Sequence, residues 1–174
     1  DEYDYQFAYN YKHYVKDAWC TDQFVFFYKD VFSQWFPSKF IIDNVTYCNC
    51  EQYMMAQKAK LFNDNEYWDL IINETDPNKI KKLGRGVRDF NDKIWNQHRD
   101  QIVYRGNLAK FTQNEILKNK LLSYDKNMYF VEASGVDKIW GIGLKVTDPK
   151  CKRKANWNGL NLLGKAITKV RNDI

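Results

Sequence analysis

The pattern of apolar and polar positions predicts β-strands near the start of the chain. Within residues 1–18, five aromatic side chains occupy every second position, which is the period of a half-buried strand, although an arm that docks by its tyrosines would show the same pattern. Residues 24–28 and 40–47 are rich in β-branched and aromatic residues, and Asp43-Asn44 supplies a turn signal inside the second run. We therefore predict short strands here, with a hairpin at the turn signal.

Helical signals dominate the remaining sequence. Asn49 followed by Gln52 resembles a capping box and predicts a helix that runs to about residue 62. Asp76-Pro77 is typical of an N-cap followed by the first helical residue. Gly84 predicts a helix end, and Thr112 with Glu115 forms a second capping box. Residues 128–133 are predicted as a strand. Residues at helical spacing predict two more helices, one with Ile94, Trp95, His98, Ile102 and Val103 and a C-terminal amphipathic one with Leu160, Leu163, Ala166, Ile167 and Val170. Together these elements predict a single α+β domain that is mostly helical around a small β-sheet.

Composition narrows the class of protein. The 174 residues have the size of one domain, and 44% hydrophobic with 28% charged residues excludes a disordered chain or a small disulfide scaffold. Only two histidines occur, far apart at His13 and His98, which excludes a histidine-rich metal site. Residues 138–174 carry nine Lys or Arg against two Asp, a balance of +7, within a chain of net charge +5. This segment favours an anionic partner such as a phosphate or nucleic acid, although a solvated basic surface would have the same composition.

Cysteine usage and hydropathy point to the expected compartment. The four cysteines are scattered, and the spacing of Cys48-Asn49-Cys50 is wrong for a zinc knuckle or a thioredoxin-like pair. No apolar run approaches the roughly 18 residues needed to cross a bilayer. We therefore expect a cytoplasmic protein with reduced cysteines, no membrane partner, no metal and no cofactor.

The predicted helix that opens near Cys50 carries the first candidate chemistry. Glu51, Met55 and Lys58 lie at helical spacing on one stripe, so a carboxylate and an ammonium share a face with an apolar residue. The two charged groups would grip a small polar ligand from both ends. Alternatively, both side chains extend to solvent from a helix that faces the core.

Two further segments supply polar groups beside glycines. In Gly84-Arg85-Gly86, an arginine suited to binding a phosphate lies between two glycines, although a helix end followed by a surface turn has the same pattern. Asp137 and Trp140 lie in a glycine-rich loop after a predicted strand, and Asn161 is a candidate cap of the last helix. Carboxylates, a lysine, an arginine and stacking rings without histidine suit cleavage of an N-glycosidic bond.

An ordered set of motifs resembles the NADAR family, also called YbiA-like or DUF1768 proteins. The resemblance covers residues 24–174, whereas residues 1–23 match nothing in the family and are treated as an N-terminal extension of unknown role. The matching elements are Phe32-Ser33, Glu51-Gln52-Tyr53-x-x-Ala56-Gln57-Lys58-Ala59, Leu83-Gly84-Arg85, Trp95, Lys110-Phe111-x-Gln113-Asn114, Glu132-Ala133, Asp137-x-x-Trp140-Gly141, Gly159-x-Asn161-x-Leu163-Gly164 and Val170-Arg171.

The resemblance implies a metal-independent N-glycosidase that acts on a ribosylated base. Family activities include cleavage of early riboflavin-pathway intermediates and removal of ADP-ribose from guanine in nucleic acid, and no obligatory protein partner is implied. The residues implied as catalytic are Glu51, Lys58 and Asp137, and those implied as substrate-binding are Phe32, Ser33, Arg85, Trp95, Trp140 and Asn161. A non-catalytic module that binds ADP-ribose or NAD remains the alternative.

The chain departs from the family pattern at two places. Gln52 follows the catalytic glutamate where the family usually has histidine. Phe32-Ser33-Gln34-Trp35 stands where the family has Phe-Ser-Asn-Phe. The first change argues against a proton-transfer role for the side chain at position 52, and we expect the second to reshape the base pocket.

Overall fold

Five short strands and six α-helices make up the computed structural model, which describes residues 19–174. The tyrosine-rich run predicted as a strand or an arm lies outside the described residues. The strands are β1 (Trp19–Cys20), β2 (Phe24–Phe27), β3 (Phe40–Ile42), β4 (Val45–Tyr47) and β5 (Tyr129–Glu132). The helices are α1 (Cys50–Leu61), α2 (Asn65–Ile72), α3 (Pro77–Arg85), α4 (Asp92–Gln113), α5 (Glu115–Leu122) and α6 (Leu162–Asp173), with 3₁₀ turns at Pro149–Lys152 and Lys154–Asn156 before α6. The predicted α+β class, mostly helical around small sheets, is confirmed.

The sheets are small, and one parallel pair determines where distant segments meet. β2 lies between β1, which is antiparallel to it, and β5, which is parallel to it. Phe24 pairs with Tyr129 and Phe27 with Glu132, so both strands end at the same edge. β3 and β4 form the predicted hairpin, in which Asp43 and Asn44 both have the positive φ that a two-residue turn requires.

Most helix starts agree with the sequence signals. Asn49 Oδ1 accepts from the backbone N–H of Gln52 at 2.8 Å, and the carboxylate of Asp76 caps α3. The predicted helix start at Thr112 is wrong: α4 continues through this residue, and its hydroxyl donates to the carbonyl of Leu108 at 2.6 Å. The predicted helix end at Gly84 is one residue early, because α3 continues to Arg85.

The core explains most of the aromatic content. α1 is packed on nearly all sides, and eight of its twelve residues are buried. The ring of Phe32 lies 5.2 Å from that of Phe130 and 5.6 Å from that of Phe27, measured between centroids. Such ring clusters remove large apolar surfaces from water and hold the loop after β2 against β5. Within residues 19–174, no helix is long and apolar enough to cross a membrane.

Candidate active site

A cavity of about 830 Å³ opens at the edge where the parallel strands β2 and β5 end. The loop after β2 (residues 28–37) and the chain from the end of β5 onward (residues 132–140) form two parts of its wall. Helices α1 and α3 and the side chains of Trp95 and Leu163 complete it. The carboxyl ends of parallel strands are a preferred place for ligand sites, and this volume is typical of small-molecule sites.

The cavity brings together seven of the nine residues singled out from the sequence. They come from five separate segments between residues 33 and 140. These seven are Glu51, Lys58, Asp137, Ser33, Arg85, Trp95 and Trp140. The stripe predicted on α1 therefore faces a cavity, where Glu51 is only 5% exposed, rather than extending into solvent.

Phe32 and Asn161, the other two residues expected to bind substrate, do not line the cavity. Phe32 is 1% exposed and packs within the ring cluster of the core. Asn161 is also 1% exposed and has a left-handed backbone with φ of 54°. Its Oδ1 accepts from the N–H of Glu132 and its Nδ2 donates to the carbonyl of Phe130, both at 3.0 Å. Asn161 therefore joins the start of α6 to β5, and its side chain does not cap that helix.

Glu51 is a buried carboxyl group surrounded by charges of both signs. Burial raises its pKa to about 7, and the negative charge of Asp137 adds to this effect. Lys81, Lys58 and Arg85 act in the opposite direction. A carboxyl group with a pKa near neutrality can exchange a proton in either direction, which is the property required of a general acid or base.

Gln52, which replaces the family's usual histidine, serves the fold. Its Oε1 accepts from the N–H of Cys48 at 2.8 Å, and its Nε2 donates to the carbonyls of Ile71 and Glu74 at 3.0 and 2.8 Å. The side chain thus ties α1 to the end of α2, and it does not line the cavity. Gln52 therefore offers no proton-transfer group to the cavity.

Lys58 and Trp95 form one wall of the cavity. Lys58 Nζ lies 4.4 Å from the ring centroid of Phe90 and 5.9 Å from that of Trp95, which is cation–π geometry. Burial lowers the pKa of Lys58, whereas the charge of Glu51 raises it. The Lys58 ammonium therefore lies beside two aromatic rings and close enough to Glu51 for their charges to interact.

Asp137 organises the opposite loop. Its Oδ1 accepts from the backbone N–H groups of Ile139 and Trp140 at 2.9 and 2.8 Å. Its own N–H donates to Ser134 Oγ at 3.0 Å. These bonds close a tight turn and set the position of Trp140 in the cavity wall.

Sequence reasoning missed two further carboxyl groups in the cavity, Asp30 and Glu132. Burial raises the pKa of Asp30 to about 6 and that of Glu132 to about 8. Both residues lie at or just after the end of a predicted strand, and Glu132 also belongs to the matching Glu132-Ala133 motif, so signals for both were available. The parallel pairing of β2 with β5 brings them together, and no pattern in the sequence indicated that pairing.

Gln34, which belongs to the segment expected to reshape the base pocket, and Lys81, which sequence reasoning missed, also line the cavity. Gln34 is 8% exposed, its Oε1 accepts from Asn107 Nδ2 at 2.9 Å, and its Nε2 has no hydrogen-bond partner within residues 19–174. Lys81 precedes Arg85 by one helical turn on α3, so the pair faces the cavity together. The i, i+4 spacing was visible in the sequence.

Lys110 does not line the cavity but supports the loop after β2, which forms part of the cavity wall. This fully buried residue donates from Nζ to the carbonyl of Ser33 at 3.0 Å and lies 5.0 Å from the ring centroid of Phe111. Burial lowers its pKa to about 8, while Cys50 and Asp30 act in the opposite direction. The ammonium thus fixes the loop after β2, which carries Asp30 into the cavity.

Across residues 19–174, no group of three or more His, Cys, Asp or Glu side chains is arranged to hold a metal ion.

Comparison with known proteins gives consistent results. The family model described as the NADAR domain matches residues 26–174. N-glycosidase R617 of Acanthamoeba polyphaga mimivirus is 43% identical, with 88% of this chain and 97% of the relative covered. Protein irg-1 of Caenorhabditis elegans is 37% identical, with 88% and 81% covered. The NMR structure of the E. coli protein YbiA superposes with a TM-score of 0.72 at 25% identity, covering 92% of this chain and 89% of that one.

Proposed function

Because the chain belongs to the NADAR domain family, we propose that it is an N-glycosidase that hydrolyses the bond between a base and a ribose carrying a phosphate or an ADP group. Relatives named N-glycosidase support the reaction class. The observation that carries the proposal is the cavity itself, in which buried carboxyl groups, cations and three tryptophans line one space. This combination matches the three parts of such a substrate: the glycosidic carbon, the phosphate and the base.

Glu51 is proposed to activate the attacking water or to stabilise the cationic ribose. A glycosidic bond breaks through a centre with oxocarbenium character, which a nearby carboxylate stabilises. With a pKa of about 7, Glu51 is substantially ionised at neutral pH and can accept a proton from water. Asp137, in the same cavity, would orient the sugar hydroxyls.

The other residues are assigned by their chemistry and place. Trp95 and Trp140 would hold the base by stacking, and Arg85 would bind the phosphate, with Lys81 one turn away. Lys58 would act electrostatically on the developing charge. Its depressed pKa also fits an amine that attacks an opened sugar, and the two roles differ in that only the second forms a covalent intermediate.

The basic C-terminal segment bears on the choice of substrate. Lys150, Lys152, Arg153 and Lys154 do not line the cavity. Lys154 Nζ lies 5.6 Å from the ring centroid of Tyr129, at the opposite end of β5 from Glu132. These cations would not meet the phosphate of a mononucleotide in the cavity, and they would contact only a longer nucleic acid.

The test is a comparison of two substrates. The protein is incubated with an oligonucleotide carrying ADP-ribosylated guanine and, separately, with a pyrimidine ribosylamine phosphate, and release of base or ADP-ribose is followed by mass spectrometry. Glu51→Gln is expected to reduce the rate at least 100-fold, and Glu115→Gln, at an exposed glutamate, is expected to leave it unchanged. Binding by calorimetry without release from either substrate would favour the non-catalytic alternative.

Alanine substitution of the four basic residues between 150 and 154 separates the substrate classes further. If nucleic acid is the substrate, kcat/KM for the oligonucleotide falls and its dependence on salt weakens. For a small metabolite, the same substitutions leave kcat/KM unchanged.

A further inference from the structure

Glu132 is held at the edge of the cavity by backbone contacts on several sides. Its N–H donates to Asn161 Oδ1 at 3.0 Å, and its carbonyl accepts from the N–H of Ile142 at 3.0 Å. A Cβ at Gly141 would lie 2.9 Å from the same carbonyl, so the loop passes close to this point of the strand. Because the backbone is fixed, the position of the Glu132 side chain in the cavity wall is also restricted.

The side chain of Glu132 is poorly satisfied by the protein. Its Oε2 is shielded from solvent and has no hydrogen-bond partner within residues 19–174. Gln34, more than nine-tenths buried in the same cavity wall, also has an amide nitrogen without a partner. Buried polar groups are rarely left without partners, so two in one wall indicate that a ligand completes their hydrogen bonds.

The charges near Glu132 favour its protonated form. Burial is the largest effect, and the carboxylates of Asp137, Asp30 and Glu51 add to it, which together raise the pKa to about 8. Lys29, Lys58, Lys81 and Arg85 also line the cavity. Lys81, Lys58 and Arg85 oppose the rise in the pKa of Glu51, which reaches about 7. Cations oppose the rise in pKa at Glu51, whereas the charges that act on Glu132 are carboxylates, and two carboxyl groups in such different surroundings are a usual arrangement for a base and an acid.

We infer, resting on the proposed N-glycosidase function, that Glu132 is the proton donor to the departing base. In this step the bond from C1 of ribose to the base nitrogen breaks, and its electron pair goes to the base, which takes the proton of the Glu132 carboxyl. Water adds to C1 and loses a proton to the Glu51 carboxylate. The products are a free base and a ribose hydroxyl, with Glu51 protonated and Glu132 ionised, and proton exchange with solvent restores both.

Asp137 is less suited to this role. Its Oδ1 already accepts from two backbone N–H groups at 2.8 and 2.9 Å. An oxygen held in this way is an acceptor, which fits binding of sugar hydroxyl groups. The structure thus separates the three carboxyl groups by role, with Glu132 as acid, Glu51 as base and Asp137 as a sugar ligand.

The experiment compares leaving groups of different basicity. Wild type, Glu132→Gln, Glu132→Asp and Glu51→Gln are assayed from pH 5 to 10 on a substrate with a natural base and on the same ribose phosphate carrying 4-nitrophenolate, which leaves without a proton. Glu132→Gln is expected to lose at least 100-fold on the natural base and less than 10-fold on 4-nitrophenolate. On the natural base, the wild-type rate should fall as the pH rises above about 8, and this fall should be absent in Glu132→Gln. Glu51→Gln should lose activity on both substrates.

A measurement without substrate keeps the inference separate from the function. Carboxyl carbon NMR of glutamate-labelled protein should show a group that titrates near pH 8 and disappears in Glu132→Gln. Equal losses on the two leaving groups, or an unchanged pH profile, would overturn the role of Glu132 while leaving the N-glycosidase proposal intact. Absence of base release by the wild type would overturn the proposed function, and with it the role of Glu132. If Glu132→Gln does not fold, Glu132→Asp provides the same comparison, with an intermediate loss expected on the natural base alone.

Discussion

Glu51→Gln is expected to stabilise the protein in alkaline solution while inactivating it. Burial raises the pKa of Glu51 from 4.5 to about 7, and each pH unit between these values corresponds to about 1.4 kcal/mol. The folded protein therefore holds this proton more tightly than the unfolded chain does. Consequently, the contribution of Glu51 to the free energy of unfolding is favourable in acid and is lost as the pH rises from 4.5 through 7.

The magnitude follows from the same two values. Glutamine is neutral at every pH, so the variant avoids the penalty of ionising a buried carboxyl group. The difference in free energy of unfolding, variant minus wild type, is expected to increase by about 3 kcal/mol between pH 4.5 and pH 8.5. Titration of Asp30 is common to both proteins and largely cancels in the difference, whereas the pKa of Glu132, which the charge of Glu51 helps to raise, falls in the variant and adds to the difference in alkaline solution.

Urea denaturation at constant ionic strength, followed by tryptophan fluorescence, measures this difference at each pH. Glu115→Gln serves as the control, because this glutamate is exposed and its replacement should give a difference of a few tenths of a kcal/mol at every pH. A constant difference between Glu51→Gln and wild type would refute the reasoning, since it would mean that Glu51 titrates alike in the folded and unfolded states.

Two further substitutions test Asn161, which supports the site through its hydrogen bonds to β5, and Trp95, which lines the cavity. Asn161→Ala removes both hydrogen bonds to β5 and leaves at φ of 54° a residue that tolerates the left-handed region less well than asparagine, so we expect a loss of about 2–4 kcal/mol in the free energy of unfolding and a lower kcat. Asn161→Gly should lose about 1 kcal/mol less, because glycine tolerates this φ, and equal losses would contradict the backbone argument. Trp95→Ala is expected to raise KM about 5-fold to 100-fold by removing a stacking surface, whereas Trp95→Phe should retain most of the affinity. Steady-state kinetics distinguishes these cases, and an unchanged KM in Trp95→Ala would exclude base stacking.

The sequence by itself determined the elements whose signals are local. The cap at Asn49, the cap at Asp76 and the turn at Asp43-Asn44 each depend on bonds between residues no more than three positions apart. The spacing of Glu51 and Lys58 on one helical stripe is local in the same sense, because helix geometry alone places them on one face. The family resemblance then indicated which side chains to associate with an N-glycosidase site.

Where local signals competed with packing, the sequence was misleading. Thr112 and Glu115 match a capping box, yet α4 continues past Thr112 because its neighbours Ala109 and Phe111 are buried in the core. Phe32 and Asn161 belong to motifs of the family but support the structure around the cavity. An apolar or amide side chain has the same letter in the sequence whether it lines a cavity or holds a strand in place.

Only the tertiary structure decided how the acidic residues combine. Asp30 and Glu132 are separated by about a hundred residues and converge because β2 pairs in parallel with β5. Their raised pKa values arise mainly from burial, with added effects from neighbouring carboxylates, and both depend on distances that no spacing in the chain encodes. A hydrogen bond to the next turn is determined by residues close in the sequence, whereas desolvation and charge repulsion are determined by every segment that folds around the group.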